Sequence, residues 1–151
     1  TLVSEKLDYR MQIAANFGAT HTLNPTKENL TDSSTTLYPN QLDVVFECCG
    51  QQDAVLQAID ILKPGGTLMI IGIPEFDTWH LPVDTLRRKE ITIKNVRRQN
   101  GCMQEAIDLL NGACSDLKSM ITHRYNYAQS QEAYNVVAAY DDKVMKAVVE
   151  F

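Results

Sequence analysis

Residues 42–74 read LDVVFECCGQQDAVLQAIDILKPGGTLMIIGIP, and their pattern is strand, helix, turn, strand. Val44-Val45-Phe46 is an apolar run without polar alternation, as a parallel strand covered on both faces requires. Cys48-Cys49-Gly50 breaks the run with small residues, and Gly50 allows a sharp turn or a close approach of ligand to backbone. Val55, Leu56, Ile59 and Leu62 recur at helical spacing, so residues 51–62 predict a helix with one apolar stripe. Lys63-Pro64-Gly65-Gly66 is expected to end it, since proline cannot continue a helix and glycine accepts a left-handed cap. Leu68-Met69-Ile70-Ile71 is the second apolar strand, closed by Gly72. Two buried strands joined by a helix form a right-handed parallel βαβ unit. Ligands of such sheets bind beyond the carboxyl ends of the strands, here Cys48-Cys49-Gly50 and Ile71-Gly72-Ile73. The fold class is therefore α/β with a parallel sheet.

Upstream of this unit, Thr1-Leu2-Val3 predicts the end of a strand with Glu5 at its tip. A helix over 8–17 follows, with Met11, Ala14 and Ala15 on one face and Gly18 as its cap. Residues 19–23 predict a short strand, Asn24-Pro25 a turn, and the Thr/Ser/Asn-rich stretch 26–41 a loop with at most one helical turn. Downstream, Trp79-His80-Leu81-Pro82-Val83 predicts an edge strand because of its proline, and residues 84–89 a short helix. Ile91 to Val96 alternates as a strand. Helices are expected over 103–110 and 130–140, the latter with Ala133, Val136, Val137 and Tyr140 inward. Residues 117–124 should be irregular to extended, and a last strand should run over 144–151.

The 151 residues are 44% hydrophobic, 7% aromatic and 22% charged, enough for one ordinary core. A net charge of −5 argues against nucleic acid or an anionic membrane as partner. No apolar run reaches the ~20 residues of a membrane helix. The N-terminus carries no signal-peptide pattern, so a cytoplasmic location is expected. Cys48, Cys49, Cys102 and Cys114 include no C-x-x-C pair, which speaks against a structural zinc or a disulfide scaffold.

Five segments stand in a telling order: strand-acid-helix-Gly at 3–18, DVVFECCG at 43–50, LKPGGTLMIIG at 62–72, RKEITIK at 88–94 and LKSMITHRY at 117–125. Together they resemble the C-terminal half of the medium-chain zinc-dependent alcohol and polyol dehydrogenases, in a sorbitol dehydrogenase-like register around Glu5–Arg10 and Val96–Arg98. The resemblance covers essentially the whole chain. It implies a Rossmann-type sheet that is truncated, because the G-x-G-x-x-G fingerprint belongs about 20 residues before the ribose-reading acid and only four residues precede Glu5. The first strand, its phosphate-binding loop and the family's zinc ligands are expected to be missing, and the chain to be a fragment inactive by itself. A partial nucleotide-binding domain is expected over 1–97, with 98–151 as helices and a strand that pack toward the catalytic domain.

The resemblance also implies roles. Glu5 at a strand tip would accept hydrogen bonds from the adenosine ribose diol of NAD, and Arg10 would reach the same ribose. Without the resemblance, Glu5 is a solvated loop acid and Arg10 a partner in a weak surface salt bridge. Cys49, Gly50, Ile71, Gly72 and Ile73 would line the nicotinamide pocket, though small strand-end residues also serve packing alone. Arg97 and Arg98 would touch cofactor, and Arg98 and Gln99 substrate. His21, His80 and His123 are isolated in sequence and read as surface or hydrogen-bonded histidines. Glu47, with no second carboxylate beside it, reads as a fold residue. No catalytic residue and no metal ligand are assigned in this chain. The function implied is hydride transfer between NAD and a small-molecule alcohol or polyol in a zinc-dependent homodimer joined through 79–83. The alternatives are a methyltransferase fragment with the same βα layout and a non-catalytic dimerisation module.

Overall fold

The computed structural model describes residues 1–112 and 115–151, so Cys114 lies outside the described residues. Among the described residues, seven strands and six helices follow one another. They are β1 (Leu2–Ser4), α1 (Asp8–Asn16), β2 (His21–Leu23), α2 (Leu30–Leu37), β3 (Leu42–Glu47), α3 (Gln52–Ile61), β4 (Leu62–Ile70), α4 (Val83–Lys89), β5 (Thr92–Asn95), α5 (Met103–Asn111), β6 (Ile121–Asn126), α6 (Ser130–Ala139) and β7 (Lys146–Glu150). Two 3-10 segments, Ser115–Met120 and Tyr127–Gln129, flank β6. All described strand pairs are parallel: β1 with β2, β3 with β4, β4 with β5, β6 with β7. This is the α/β class with parallel sheets.

The chain divides into two compact units, Thr1–Arg98 and Gln99–Phe151. In the first, α3 lays Val55, Ala58 and Ile59 on Leu62, Leu68 and Ile70, and all six are buried. Val45, Trp79, Leu81, Leu86, Ile91 and Ile93 pack around that cluster. Each of the large side chains contributes roughly 1.5–3 kcal/mol by leaving water. Lys89, the last residue of α4, places its ammonium on the carbonyls of Ile59, Asp60 and Leu62 at 2.7–3.1 Å. It thereby satisfies the free carbonyl end of α3, where a cation also meets the negative end of the helix dipole.

Several expectations are revised. The Lys63–Gly66 run does not cap α3. The helix stops at Ile61 and β4 begins at once, with register passing from Leu42↔Leu62 to Val44↔Thr67. Lys63, Pro64, Gly65 and Gly66 therefore bulge out opposite Asp43, and a Lys63–Asp43 ion pair spans the bulge. The stretch 26–41 contains a real helix, α2, started by the Asn29 side chain accepting from the Asp32 amide. Leu30 and buried Ser34 form its inner face, a stripe too short and polar to stand out in sequence. Residues 79–82 join no ladder among the described residues, and the side chains of Trp79 and Leu81 pack on the core.

Nor is β3 covered on both faces. Val45 faces the core, while Val44 and Phe46 share an exposed face, with Phe46 62% accessible. The two sheets of this unit, β1-β2 and β3-β4-β5, share no ladder, so β1 and β3 each keep a bare edge.

In the second unit, β6 and β7 pair in parallel through α6, with Ala133 and Val144 buried. Val137 and Tyr140 are exposed, not inward as their spacing suggested; Ala133 carries the packing of α6. Residues 117–124 divide into the 3-10 segment and β6. His123 sits between the Thr122 hydroxyl at 2.9 Å and the Asp142 carboxylate at 3.2 Å.

Candidate functional site at the strand ends

Parallel strands expose a row of backbone ends on one side of a sheet, and the loops there set what can bind. At the end of β3, Glu47 is only 4% accessible. Its Oε1 accepts the Cys49 N–H at 2.8 Å, the Gly50 N–H at 2.7 Å and the Cys49 thiol at 2.9 Å. Its backbone carbonyl accepts the Ile71 and Gly72 N–H groups at 2.8 and 3.0 Å, just past β4. Two loops distant in sequence are thus tied to one residue.

The glycines show how tightly those loops fit. A Cβ on Gly50, whose φ is +71°, would lie 2.5 Å from the Ile73 carbonyl oxygen. A Cβ on Gly72 would strike the Gly50 nitrogen and lie 2.6 Å from Glu47 Oε2. Only glycine lets the backbones approach this closely. Ile73 stands 80% accessible beside them, and Ile71 is exposed as well, so the outer face of this corner is apolar.

The two thiols of the corner are exposed, yet both hold their protons more tightly than a free cysteine. Burial, then the hydrogen bond to Glu47, pushes the Cys49 thiol up to about 11. Burial and the nearby Glu47 charge also raise Cys48. The Lys6 ammonium pulls Cys49 slightly the other way, which places the end of β1 within electrostatic reach of the end of β3.

At the end of β1, Glu5 Oε1 accepts from the Lys6 and Leu7 amides at 2.8 and 3.0 Å. Oε2 has no hydrogen-bond partner among the described residues. Arg10 stacks over the Tyr9 ring, its guanidinium carbon 5.7 Å from the centroid, and donates from Nε to the Tyr9 hydroxyl. Buried Asn24, 3% accessible, holds this loop from behind. Its carboxamide donates to the Lys6 carbonyl at 2.9 Å and to Asp8 Oδ1 at 3.2 Å, while its oxygen accepts from the Thr26 amide and hydroxyl.

Arg97 and Arg98 follow the end of β5, after Val96 extends the ladder by donating to the Ile70 carbonyl. Both are exposed, and Arg98 adopts φ +46°. Gln99, also exposed, opens the second unit. Glu5, Glu47, Cys49, Gly50 and Ile71 to Ile73 thus belong to strand ends of one unit. Sequence reading had left Glu47 as a fold residue and Asn24 as a mere turn, because neither shows its distant partners along the chain. Among the described residues, no group of three or more His, Cys, Asp or Glu side chains could hold a metal ion. No described helix is long and apolar enough to cross a membrane.

Comparison with known proteins gives this geometry a family. The D-xylulose reductase of Saccharomyces cerevisiae is 29% identical over 150 residues, covering 95% of this chain and 42% of that protein. The sorbitol dehydrogenase of Bacillus subtilis is 26% identical over 149 residues, again with 42% of its length covered. This chain thus spans less than half the length of the curated relatives it matches. Among solved structures, an Escherichia coli oxidoreductase/dehydrogenase of unknown specificity superimposes with a TM-score of 0.90 at 27% identity, over 99% of this chain and 43% of that one. The family model described as zinc-binding dehydrogenase matches residues 1–112, which sets aside the methyltransferase alternative: the chain belongs to the zinc-binding dehydrogenase family.

Proposed function

We propose that this chain is the NAD-binding portion of a zinc-dependent oxidoreductase that interconverts an alcohol or polyol with its ketone or aldehyde. The observation that carries the reading is the interlocked Gly50–Gly72 corner. There the loops after β3 and β4 meet backbone against backbone, with Ile71 and Ile73 exposed beside them. Such a surface suits a planar ring lying against backbone. The unpartnered Oε2 of Glu5 supplies an acceptor for a ribose hydroxyl at the end of β1. NAD bound there would supply hydride transfer; these residues would hold and orient it. The described residues offer no zinc ligand set, so zinc chemistry is assigned to no residue here. The exposed face of Val44 and Phe46 and the bare edges of β1 and β3 support a sheet that a further strand and helix complete.

Saturation-transfer NMR on the 151-residue chain tests the reading. Transfer to the nicotinamide and adenine-ribose protons of NAD, with none to S-adenosylmethionine, is expected. Absence of transfer to NAD overturns it. No NADH should form from sorbitol, xylitol, threonine or ethanol with this chain, NAD and zinc.

The partner reading is a homodimer through 79–83. Gln52 clamps one side of this segment, donating to the His80 carbonyl at 2.8 Å and accepting its N–H at 2.9 Å. In extended backbone the neighbouring residues point the opposite way. The Trp79 and Leu81 backbone groups have no partner among the described residues, leaving a short edge for a second copy. Light scattering that finds a monomer at every concentration counts against it.

A further inference from the structure

The polar groups at the β3–β4 corner have an unusual destination. Four N–H groups of the strand-end loops, from Cys49, Gly50, Ile71 and Gly72, all donate to Glu47. A row of free N–H groups at such a place would attract phosphate. One buried carboxylate and its carbonyl consume these four donors, so none of the four is left for an anion. What the corner exposes is Ile71, Ile73 and the two cysteines, a face suited to a neutral ring.

Glu47 also keeps one oxygen in reserve. Oε2 is buried, lacks a hydrogen-bond partner, and lies against the spot a Gly72 side chain would fill. The carboxylate is therefore wedged between the two loops, bonded to one by Oε1 and packed against the other by Oε2. Its own peptide carbonyl completes the bracket. The third Oε1 partner, the Cys49 thiol, adds a donor that requires the thiol to stay protonated.

We infer that Glu47 is the positioning residue of the proposed nicotinamide floor: it locks the Cys49–Gly50 and Ile71–Gly72 loops into one rigid body and holds Cys49 as an S–H donor. The role in coenzyme placement rests on the function proposed above. The locking itself does not, and it can be measured without any nucleotide.

The test uses the full 151-residue chain as wild type, Glu47→Gln and Glu47→Ala. Iodoacetamide alkylation, resolved residue by residue by mass spectrometry at mildly alkaline pH, reads the thiol. Cys49 and Cys102 are both exposed, so wild-type Cys49 should react about tenfold or more slowly than Cys102 because of its held proton, and Glu47→Gln should recover about tenfold, since one pKa unit is a factor of ten in thiolate. Amide hydrogen exchange reads the lock. Glu47→Ala removes the acceptor of the Cys49 and Gly50 amides but keeps the carbonyl that bonds Ile71 and Gly72. If the loops move as one body, the Ile71 and Gly72 amides speed up too, whereas Glu47→Gln, which still accepts, restores slow exchange. An unchanged Cys49 rate in Glu47→Gln overturns the thiol role, and unchanged Ile71 and Gly72 exchange in Glu47→Ala overturns the lock. Should Glu47→Ala fail to fold, the wild-type infrared S–H stretch decides. The Cys49 band, identified by its loss in Cys49→Ala, should lie below that of Cys102, and coincidence with it overturns the inference. Loss of NAD transfer in wild type would fell the coenzyme reading alone.

Discussion

The end of β3 and the end of β1 solve opposite problems with the same residue type. Glu47 is buried and turns its Oε1 inward onto a turn, three donors deep, while its carbonyl reaches a second loop. Glu5 is half-buried and spends only Oε1 on its own following amides, leaving Oε2 unpartnered. The first carboxylate builds a surface; the second is available to read a ligand. What separates them is the approach of another loop: Gly72 comes against Glu47 Oε2, whereas Glu5 Oε2 has no hydrogen-bond partner among the described residues.

The sharpest way to break this contrast is Gly72→Ala. The new methyl would run into the Gly50 backbone and Glu47 Oε2, neither of which can swing away as a long side chain would. Overpacking of this kind costs typically 1–3 kcal/mol and more when backbone must move, so a loss of about 3 kcal/mol or failure to fold is expected. Gly65→Ala is the control. Its added Cβ meets nothing within 4 Å, so only its φ of +76° is penalised, at about 1–2 kcal/mol. Equal chemical-denaturation midpoints for the two variants would show that the corner is not interlocked.

Asn24→Ala comes next, and it acts on the open end. It removes the donor to the Lys6 carbonyl and the acceptor of Thr26 from a buried position. Leaving such groups unpaired costs about 1–3 kcal/mol. A melting temperature unchanged from wild type would mean that water replaces the carboxamide at no cost and that the Glu5 loop needs no support from behind.

A smaller, pH-dependent effect belongs to the closed end. The folded state holds the Cys49 proton to about 11, above the ordinary value of 9.0, so the folded chain binds that proton more tightly than the unfolded chain. The associated stability is complete below pH 9 and is lost as pH rises through about 11. The thiol is exposed, so solvent screens it and the slope should be shallow. Comparing wild type with Cys49→Ala isolates it: the melting temperature of the wild type should fall more steeply across that window. Parallel curves would remove Cys49 from the account.

The sequence made the closed end half legible. Apolar runs ending in Gly50 and Gly72 marked the strand ends, since period and glycine are local signals. That Glu47 would meet both loops was invisible, because the contact joins residues 24 and 25 positions apart and depends on the register of β3 against β4. The same limit hid the Lys63–Gly66 bulge. A proline and two glycines after a helix look like a cap, and only the partner strand reveals that Leu62 is already paired. The helix α2 was missed for another reason: Thr and Ser are weak helix formers, and its Asn29 cap and buried Ser34 matter only once α2 packs near α3. For Val44 and Phe46, apolar composition predicted cover that the described residues do not provide.

The smallest effect, invisible in stability, concerns cofactor choice at Glu5. A carboxylate at a strand tip accepts the ribose diol of NAD and repels the extra phosphate of NADP. A bidentate contact would contribute about 1.5–3 kcal/mol, the range for hydrogen bonds to charged groups. Here Oε1 is already engaged by the Lys6 and Leu7 amides, so a ribose diol would meet chiefly Oε2. One oxygen halves that figure to about 0.75–1.5 kcal/mol, which is a preference for NAD of roughly three- to tenfold. Lys6 opposes the preference, being exposed and adjacent, whereas Arg10 is committed to the Tyr9 ring and is a weaker competitor than its charge suggests. Glu5→Gln keeps the acceptor and the amide contacts but removes the charge. It should therefore leave the melting temperature unchanged, retain NAD binding, and narrow the NAD to NADP ratio toward one in competition saturation-transfer NMR. Wild-type binding of both cofactors with equal strength, or a ratio untouched by Glu5→Gln, would make Glu5 another internal brace like Glu47 and erase the difference between the two strand ends.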